Sequence, residues 1–216
     1  MDIIIIVISV IALMLAIILH EIAHGWVANY FGDDTARISG RLSLNPLVHI
    51  DPFGSILVPL LLYLSQAGIL FGWAKPVPIN PQRLKGGVKA YRFVTLAGIA
   101  TNLSLAVLSA LILKFTIQYL DITNNNLGVI FFGAFLQINL VLAVFNSLPF
   151  PGFDGFNFLT TFRPVADLLR KTILANPLFM AKYGLLISIF LIILLMPVIS
   201  QIFIYILSFF LRIFGL

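Results

Sequence analysis

Apolar and polar residues fall in long blocks along this chain, not in the short periods of a half-buried strand or a surface helix. Five apolar blocks stand out, at residues 3–31, 53–70, 93–118, 127–148 and 183–214. Blocks of this length predict helices that cross a hydrocarbon core about 30 Å thick. The last block would be roughly 48 Å long as one helix at 1.5 Å per residue. Pro197 is therefore expected to kink it or to divide it into a hairpin. The joining segments have a different character. "GDDTARISGRLSLNPLVHIDP" and "GWAKPVPINPQRLKGGVKAYR" are rich in Gly, Pro and charge, "DITNNN" is a short polar turn, and "PFPGFDGFNFLTTFRPVADLLRK" mixes prolines with an amphipathic tail.

Composition sharpens that pattern. Of 216 residues, 61% are apolar and 10% charged, and the mean hydropathy of +1.09 lies far above that of soluble domains. The expectation is an all-α polytopic membrane protein with about 5–6 transmembrane helices. No repeat or linker is visible, so residues 1–216 read as one domain, with a core at about 3–160 and a C-terminal helix or hairpin at 183–214. The formal charge of +5 is scattered between the blocks, which favours lipid head groups over nucleic acid as the counter-charge. There is no cysteine, hence no disulfide and no thiolate chemistry. The first block lacks the basic start and small-residue cleavage site of a signal peptide, so it is expected to persist as a helix.

Inside that first block lies "AIILHEIAHGWVAN". Ionisable groups are costly in hydrocarbon and are rare there unless paired or functional. His20, Glu21 and His24 form H-E-x-x-H. On a helix the two histidines share a face and can bind one Zn²⁺, with the glutamate placed to take a proton from a zinc-bound water. A five-residue pattern can arise by chance, and a buried polar network can simply hold helices together; the apolar setting weighs against both. Zinc needs a third protein ligand. His49, Asp51, Asp121, Asp154 and Asp167 are candidates. Asp154 is preferred because it follows a long apolar helix carrying Asn139 and Asn146. It also sits in "FNSLPFPGFDGF", where prolines interrupt the helix and irregular backbone can line a water-filled cavity.

"HEIAH" near the end of the first block, "NSLPFPGFDG" and "GWAKPVPINP" between them resemble the site-2 protease family of intramembrane zinc metalloproteases, in its short branch without PDZ or CBS domains. The likeness runs from about residue 10 to residue 160. It implies that His20, His24 and Asp154 ligate zinc, that Glu21 is the catalytic base and that Asn146 helps hold the scissile peptide or its oxyanion. It also implies regulated intramembrane proteolysis, with transmembrane helices of regulatory membrane proteins or remnant signal peptides, often trimmed first by another protease, as substrates. One departure is visible: "LAGIATNL" keeps Asn102 but has Ile99 where many relatives carry proline.

A metal joining the first block to the region after the fourth puts residues 31 and 148 near one membrane face. The third and fourth blocks form a hairpin through "DITNNN", so residues 32–92 leave and return on that same face. Residues 53–70 are then expected to be re-entrant or broken, and not a simple span. Eleven of the 13 basic residues lie on that face: Arg37, Arg41, Lys75, Arg83, Lys85, Lys89, Arg92, Arg163, Arg170, Lys171 and Lys182. The positive-inside rule makes it cytoplasmic, with the N-terminus outside. "GWAKPVPIN" is expected to be extended; Pro76 and Pro78 cannot donate hydrogen bonds, which suits an edge able to pair with an unwound substrate. Two other classes compete with a protease. A zinc or proton transporter would not need Glu21 beside a ligand, and a catalytically silent adaptor would not need an intact base.

Overall fold

The computed structural model describes residues 3–57, 64, 74–120 and 126–216. Helix α1 (Ile3–Tyr30) is apolar for most of its length, and α2 (Thr35–Ile38) is a single turn after it. A 3₁₀ turn at Pro46–His49 and a π-helical turn at Pro52–Leu57 follow. Residues 74–80 carry no regular secondary structure and lead through a 3₁₀ turn at Pro81–Arg83 to α3 (Gly87–Tyr119). Then come α4 (Leu127–Asn146), α5 (Asp154–Leu159), α6 (Arg163–Arg170) and α7 (Pro177–Phe214). Among the described residues there is no strand.

Among the described residues, four helices are long and apolar enough to cross a membrane: Ile3–Tyr30, Gly87–Tyr119, Leu127–Asn146 and Lys182–Phe214. This is an all-helical integral membrane protein. The last apolar block is not divided at Pro197; α7 runs through it as one helix of 38 residues. Neighbouring groups can re-satisfy a carbonyl freed by proline inside a membrane helix. Asn176 starts α7 by accepting the N–H groups of Leu178 and Phe179, with Pro177 at its first position, and Gly215 ends it at φ +68°. The expected re-entrant path of residues 53–70 falls mostly outside the described residues, as does the turn at 121–125.

Helices α1, α3 and α4 pack as a three-helix core. The buried faces of α1 and α3 are rich in small side chains, Ala12, Ala16 and Ala28 on α1 and Ala90, Ala97, Ala106 and Ala110 on α3, while α4 buries Phe135, Leu136 and Leu140 beside Ala143. Apolar lipid gives no hydrophobic drive between such helices, so close backbone approach and dispersion hold them together. Leu113, Val129, Leu136 and Leu140 fill the end of the α3–α4 seam remote from His20, where Phe203, Ile206 and Phe210 of α7 lean on it. The loop after α1 is tied to the start of α3: Lys85 N–H donates to Phe31 O at 2.7 Å. The C-terminal end of α1 and the N-terminal end of α3 therefore meet at one face.

Candidate metal centre

His20 and His24 lie one turn apart on α1, both buried, with α3 directly opposite. Each imidazole is fixed by its Nδ1. His24 Nδ1 lies 2.6 Å from Val94 O; a carbonyl only accepts, so this nitrogen carries the proton. His20 Nδ1 lies 2.6 Å from Asn102 Oδ1. Asn102 Nδ2 donates to Asn139 Oδ1 at 3.2 Å, and Asn139 Nδ2 donates to Phe135 O at 2.8 Å. That terminal carbonyl sets the direction of the whole relay, so His20 Nδ1 is a donor too. Both Nε2 atoms are left with lone pairs facing inwards.

Asp154 supplies the third atom. It begins α5, and its Oδ2 stands 3.3 Å from His20 Nε2 and 3.1 Å from His24 Nε2, while the two Nε2 atoms are 3.1 Å apart. Three acceptors converge with no proton among them, an arrangement that repels itself unless a cation sits at the centre. Asp154 Oδ2 is buried without a hydrogen-bond partner, as an atom reserved for a metal would be. The spacing also fits. Zinc bonds of about 2.0–2.1 Å in tetrahedral geometry set ligand atoms about 3.3–3.4 Å apart.

Glycine makes this closeness possible. A Cβ on Gly98 of α3 would stand 2.5 Å from the Nε2 atoms of both histidines. Gly155, next to Asp154, lies against the Ser147 and Leu148 carbonyls at the end of α4, where a Cβ would collide with backbone. Arg92 of α3 holds the far end of α5, donating to Thr161 Oγ1 at 2.8 Å and to Thr161 O at 3.2 Å, with its guanidinium 4.1 Å from the Phe162 ring centroid.

Glu21 sits between the two histidines in sequence and is half-buried. Its Oε2 accepts Val77 N–H at 2.8 Å. Val77 belongs to an irregular strap, residues 74–80, which is clamped along its length. Lys75 N–H donates to His49 O at 2.9 Å. Arg41, buried, donates from Nη2 to Lys75 O at 2.5 Å and to Pro76 O at 3.3 Å. Asn80 N–H donates to Asp33 Oδ2 at 2.6 Å. Gly25 gives the strap room beside α1, since a Cβ there would lie 3.0 Å from Val77 Cγ1. Asp33 is fully buried, and burial alone would raise its pKa. Hydrogen bonds from Thr35 and from the Asn80 amide, with Arg83 nearby, outweigh burial and hold it below the ordinary 3.8.

The other sequence candidates lie elsewhere. His49 Nε2 is 2.8 Å from Ser43 O, Asp51 caps the turn at Phe53 and Gly54, and Asp167 pairs with Arg170 on the exposed face of α6. Asp121 is outside the described residues. Asn146 Nδ2 donates back to Leu142 O at 3.0 Å within α4. Sequence reasoning gave Asn102 no role, yet it orients His20. A polar residue in an apolar block was the available signal. Arg41, Asp33 and Gly98 were missed because their partners are distant in sequence.

A helical membrane bundle enclosing a buried His-His-Asp cluster is the architecture of an intramembrane metalloenzyme. The chain is 38% identical over 182 residues to YwhC of Bacillus subtilis, a match covering 82% of this chain and 76% of that protein. It is 35% identical over 148 residues to Rip2 of Mycolicibacterium smegmatis, covering 68% and 53%, and 33% identical over 145 residues to Rip2 of Mycobacterium tuberculosis, covering 66% and 52%. All three are named as zinc metalloproteases, and the match spans about half the length of the two Rip2 proteins. No family profile and no solved structure matches the chain. The chain belongs to the site-2 protease family, and it is a zinc metalloprotease of the membrane.

Proposed function

We propose that this protein hydrolyses peptide bonds within or beside transmembrane segments of membrane protein substrates, as in regulated intramembrane proteolysis. Residues 1–216 act as one membrane metalloprotease domain. The observation that carries this reading is the convergence of His20 Nε2, His24 Nε2 and Asp154 Oδ2 between helices of a lipid-facing bundle, with Glu21 beside them. His20, His24 and Asp154 hold the metal. A zinc ion held there would supply a bound water of lowered pKa and Lewis-acid polarisation of the substrate carbonyl.

Glu21 is the base. With Val77 N–H on its Oε2, the other carboxylate oxygen takes the water's proton and later delivers it to the leaving amine. Asn146, whose Oδ1 is free of the bond to Leu142 O, helps hold the scissile peptide. The substrate helix must unwind locally to present its carbonyl, so helix-weak residues are expected at the cut. His24 lies about 9 Å from the end of α1, which puts the metal below a membrane surface. The basic segments that meet at that end make it the cytoplasmic face.

Glu21→Gln tests the assignment. The variant should keep one zinc per chain and stay folded in detergent. Its cleavage of a single-pass substrate should fall by about 10²–10⁴-fold. Parent-like cleavage with zinc in place would overturn the role of Glu21. A transporter would show zinc flux in vesicles that the substitution leaves intact.

A further inference from the structure

Two of the three donor atoms at the metal centre are fixed by one helix, but Asp154 hangs on a loop. That loop is a tight turn. Phe153 N–H donates to Phe150 O at 3.1 Å, Pro151 occupies the second position and Gly152 the third at φ +90°, the pattern of a type II turn. In such a turn the central peptide, between Pro151 and Gly152, can face either of two ways. The alternative orientation is a type I turn, in which the Pro151 carbonyl faces the opposite side and residue 152 takes a negative φ. A partner that holds the Pro151 carbonyl therefore selects this turn and pins it in place, three residues before Asp154.

The holder is Ser188 of α7, whose hydroxyl donates to Pro151 O. Its behaviour is unlike that of the other helical serines. Ser9, Ser104 and Ser109 spend their hydroxyls on the carbonyl four residues back in their own helix, as Ser147 does just past the end of α4, and Ser200 of α7 binds the carbonyl three residues back. Ser188 instead reaches another element, and it is 1% exposed on a helix whose side chains otherwise mostly face outward. Gly184 lies one turn earlier on the same face, and a Cβ built on it would stand 3.6 Å from Pro151 Cβ. Helix α7 is thus seated on the turn at two successive positions.

We propose that Ser188 is a positioning residue for the metal centre, fixing the Pro151–Gly152 peptide so that Asp154 is delivered to the two histidines. Helix α7 contributes no ligand, yet the affinity of the site depends on it. This role rests on Asp154 as a zinc ligand. Losing one buried hydrogen bond to a turn behind a ligand is expected to weaken zinc about 5- to 10-fold, below the loss from removing a group that bonds a ligand directly.

The experiment is chelator competition for zinc on the purified full chain in detergent, with thermal unfolding of the metal-free protein measured alongside. Ser188→Ala should release zinc at about 5- to 10-fold lower chelator strength while the metal-free melting temperature stays at the parent value. The cysteine-free chain allows a rescue. Pro151→Cys with Gly184→Cys has the Cβ spacing of a disulfide, and oxidising that pair in the Ser188→Ala background should restore zinc retention, reversed by reductant. Parent-like zinc retention in Ser188→Ala overturns the proposal. So does weakened retention that the crosslink does not restore, since that would mean general loosening of α7. Should Ser188→Ala fail to fold, the same cysteine pair with Ser188 intact decides: retention must be at least as tight oxidised as reduced, and looser retention on oxidation overturns the proposal. Asp154→Ala separates the layers. If it keeps zinc, the ligand assignment itself fails; if it loses zinc while Ser188→Ala does not, only the role of Ser188 falls.

Discussion

Adding one methyl group at Gly98 should disable this protein more thoroughly than most changes to charged residues. The carbon would sit 2.5 Å from the Nε2 atoms of His20 and His24, where ordinary contact begins at 3.4 Å. Helix α3 must then retreat from α1 by about 1 Å, or the imidazoles must turn. Retreat breaks close packing along a seam built of alanines, at the about 1–3 kcal/mol typical of overpacking. Turning an imidazole breaks a 2.6 Å bond to Val94 O or to Asn102 Oδ1 and spoils the convergence of donors. Either route should weaken zinc by at least about 10- to 100-fold. Gly133 of α4 is the control, because nothing lies within 4 Å of a Cβ placed there. Gly133→Ala should be neutral, or stabilising by about 0.5–1 kcal/mol through helix propensity. The assay is zinc per chain by elemental analysis after gel filtration, together with cleavage of a single-pass substrate in vesicles. Gly98→Ala with parent zinc content and parent rate would refute the close-approach reasoning.

Two further outcomes follow from the surroundings of the site. Asn102→Ala removes the acceptor of His20 Nδ1 and strands the Asn139 amide oxygen, so zinc affinity should fall about 10- to 100-fold in chelator competition; an unchanged affinity would deny the relay any part in orienting His20. Asp33 has its folded pKa below the ordinary 3.8, so its contribution to stability is fully present above that value and is lost as pH falls through the folded value. The melting-temperature difference between parent and Asp33→Asn should therefore shrink on acidification below 3.8, and a constant difference would show that its hydrogen bonds do not depend on the charge.

The elements that sequence made legible are those whose chemistry is local. His20 and His24 are four residues apart, and helical geometry alone puts them on one face. The apolar blocks at 3–31 and 127–148 became α1 and α4 nearly end to end, because hydrocarbon leaves a backbone little choice but helix. Asp154 was singled out from several carboxylates by its proline-rich setting and by resemblance, and the fold brings it to the two histidines. Of the two outcomes expected at Pro197, division of the last block into a hairpin is the one that does not occur. Proline breaks helices in water, but in α7 the helix continues past it. The start of α3 at Gly87 was also hidden, since Lys89 and Arg92 interrupt the apolar run although the helix already covers them. Least legible were Gly98, Asn102, Arg41 and Asp33. Each works through a partner tens of residues away, and no periodicity records such a pairing.

The clamped strap changes what an incoming peptide can find. A ladder between two chains uses N–H and C=O groups from alternate residues of each. Along 75–80 the donors are already spoken for: Lys75 on His49, Val77 on Glu21, Asn80 on Asp33, with prolines at 76 and 78. Ile79 is the one amide among these described residues with no bond. The Lys75 and Pro76 carbonyls are occupied by Arg41. A substrate strand laid along this stretch could take the Val77 N–H only in place of Glu21, whereas the Val77 carbonyl and the Ile79 N–H carry none of these bonds. Strand addition that used the Val77 N–H would thus compete with Glu21 for one hydrogen bond, so a peptide docked there would release the carboxylate that the strap now holds.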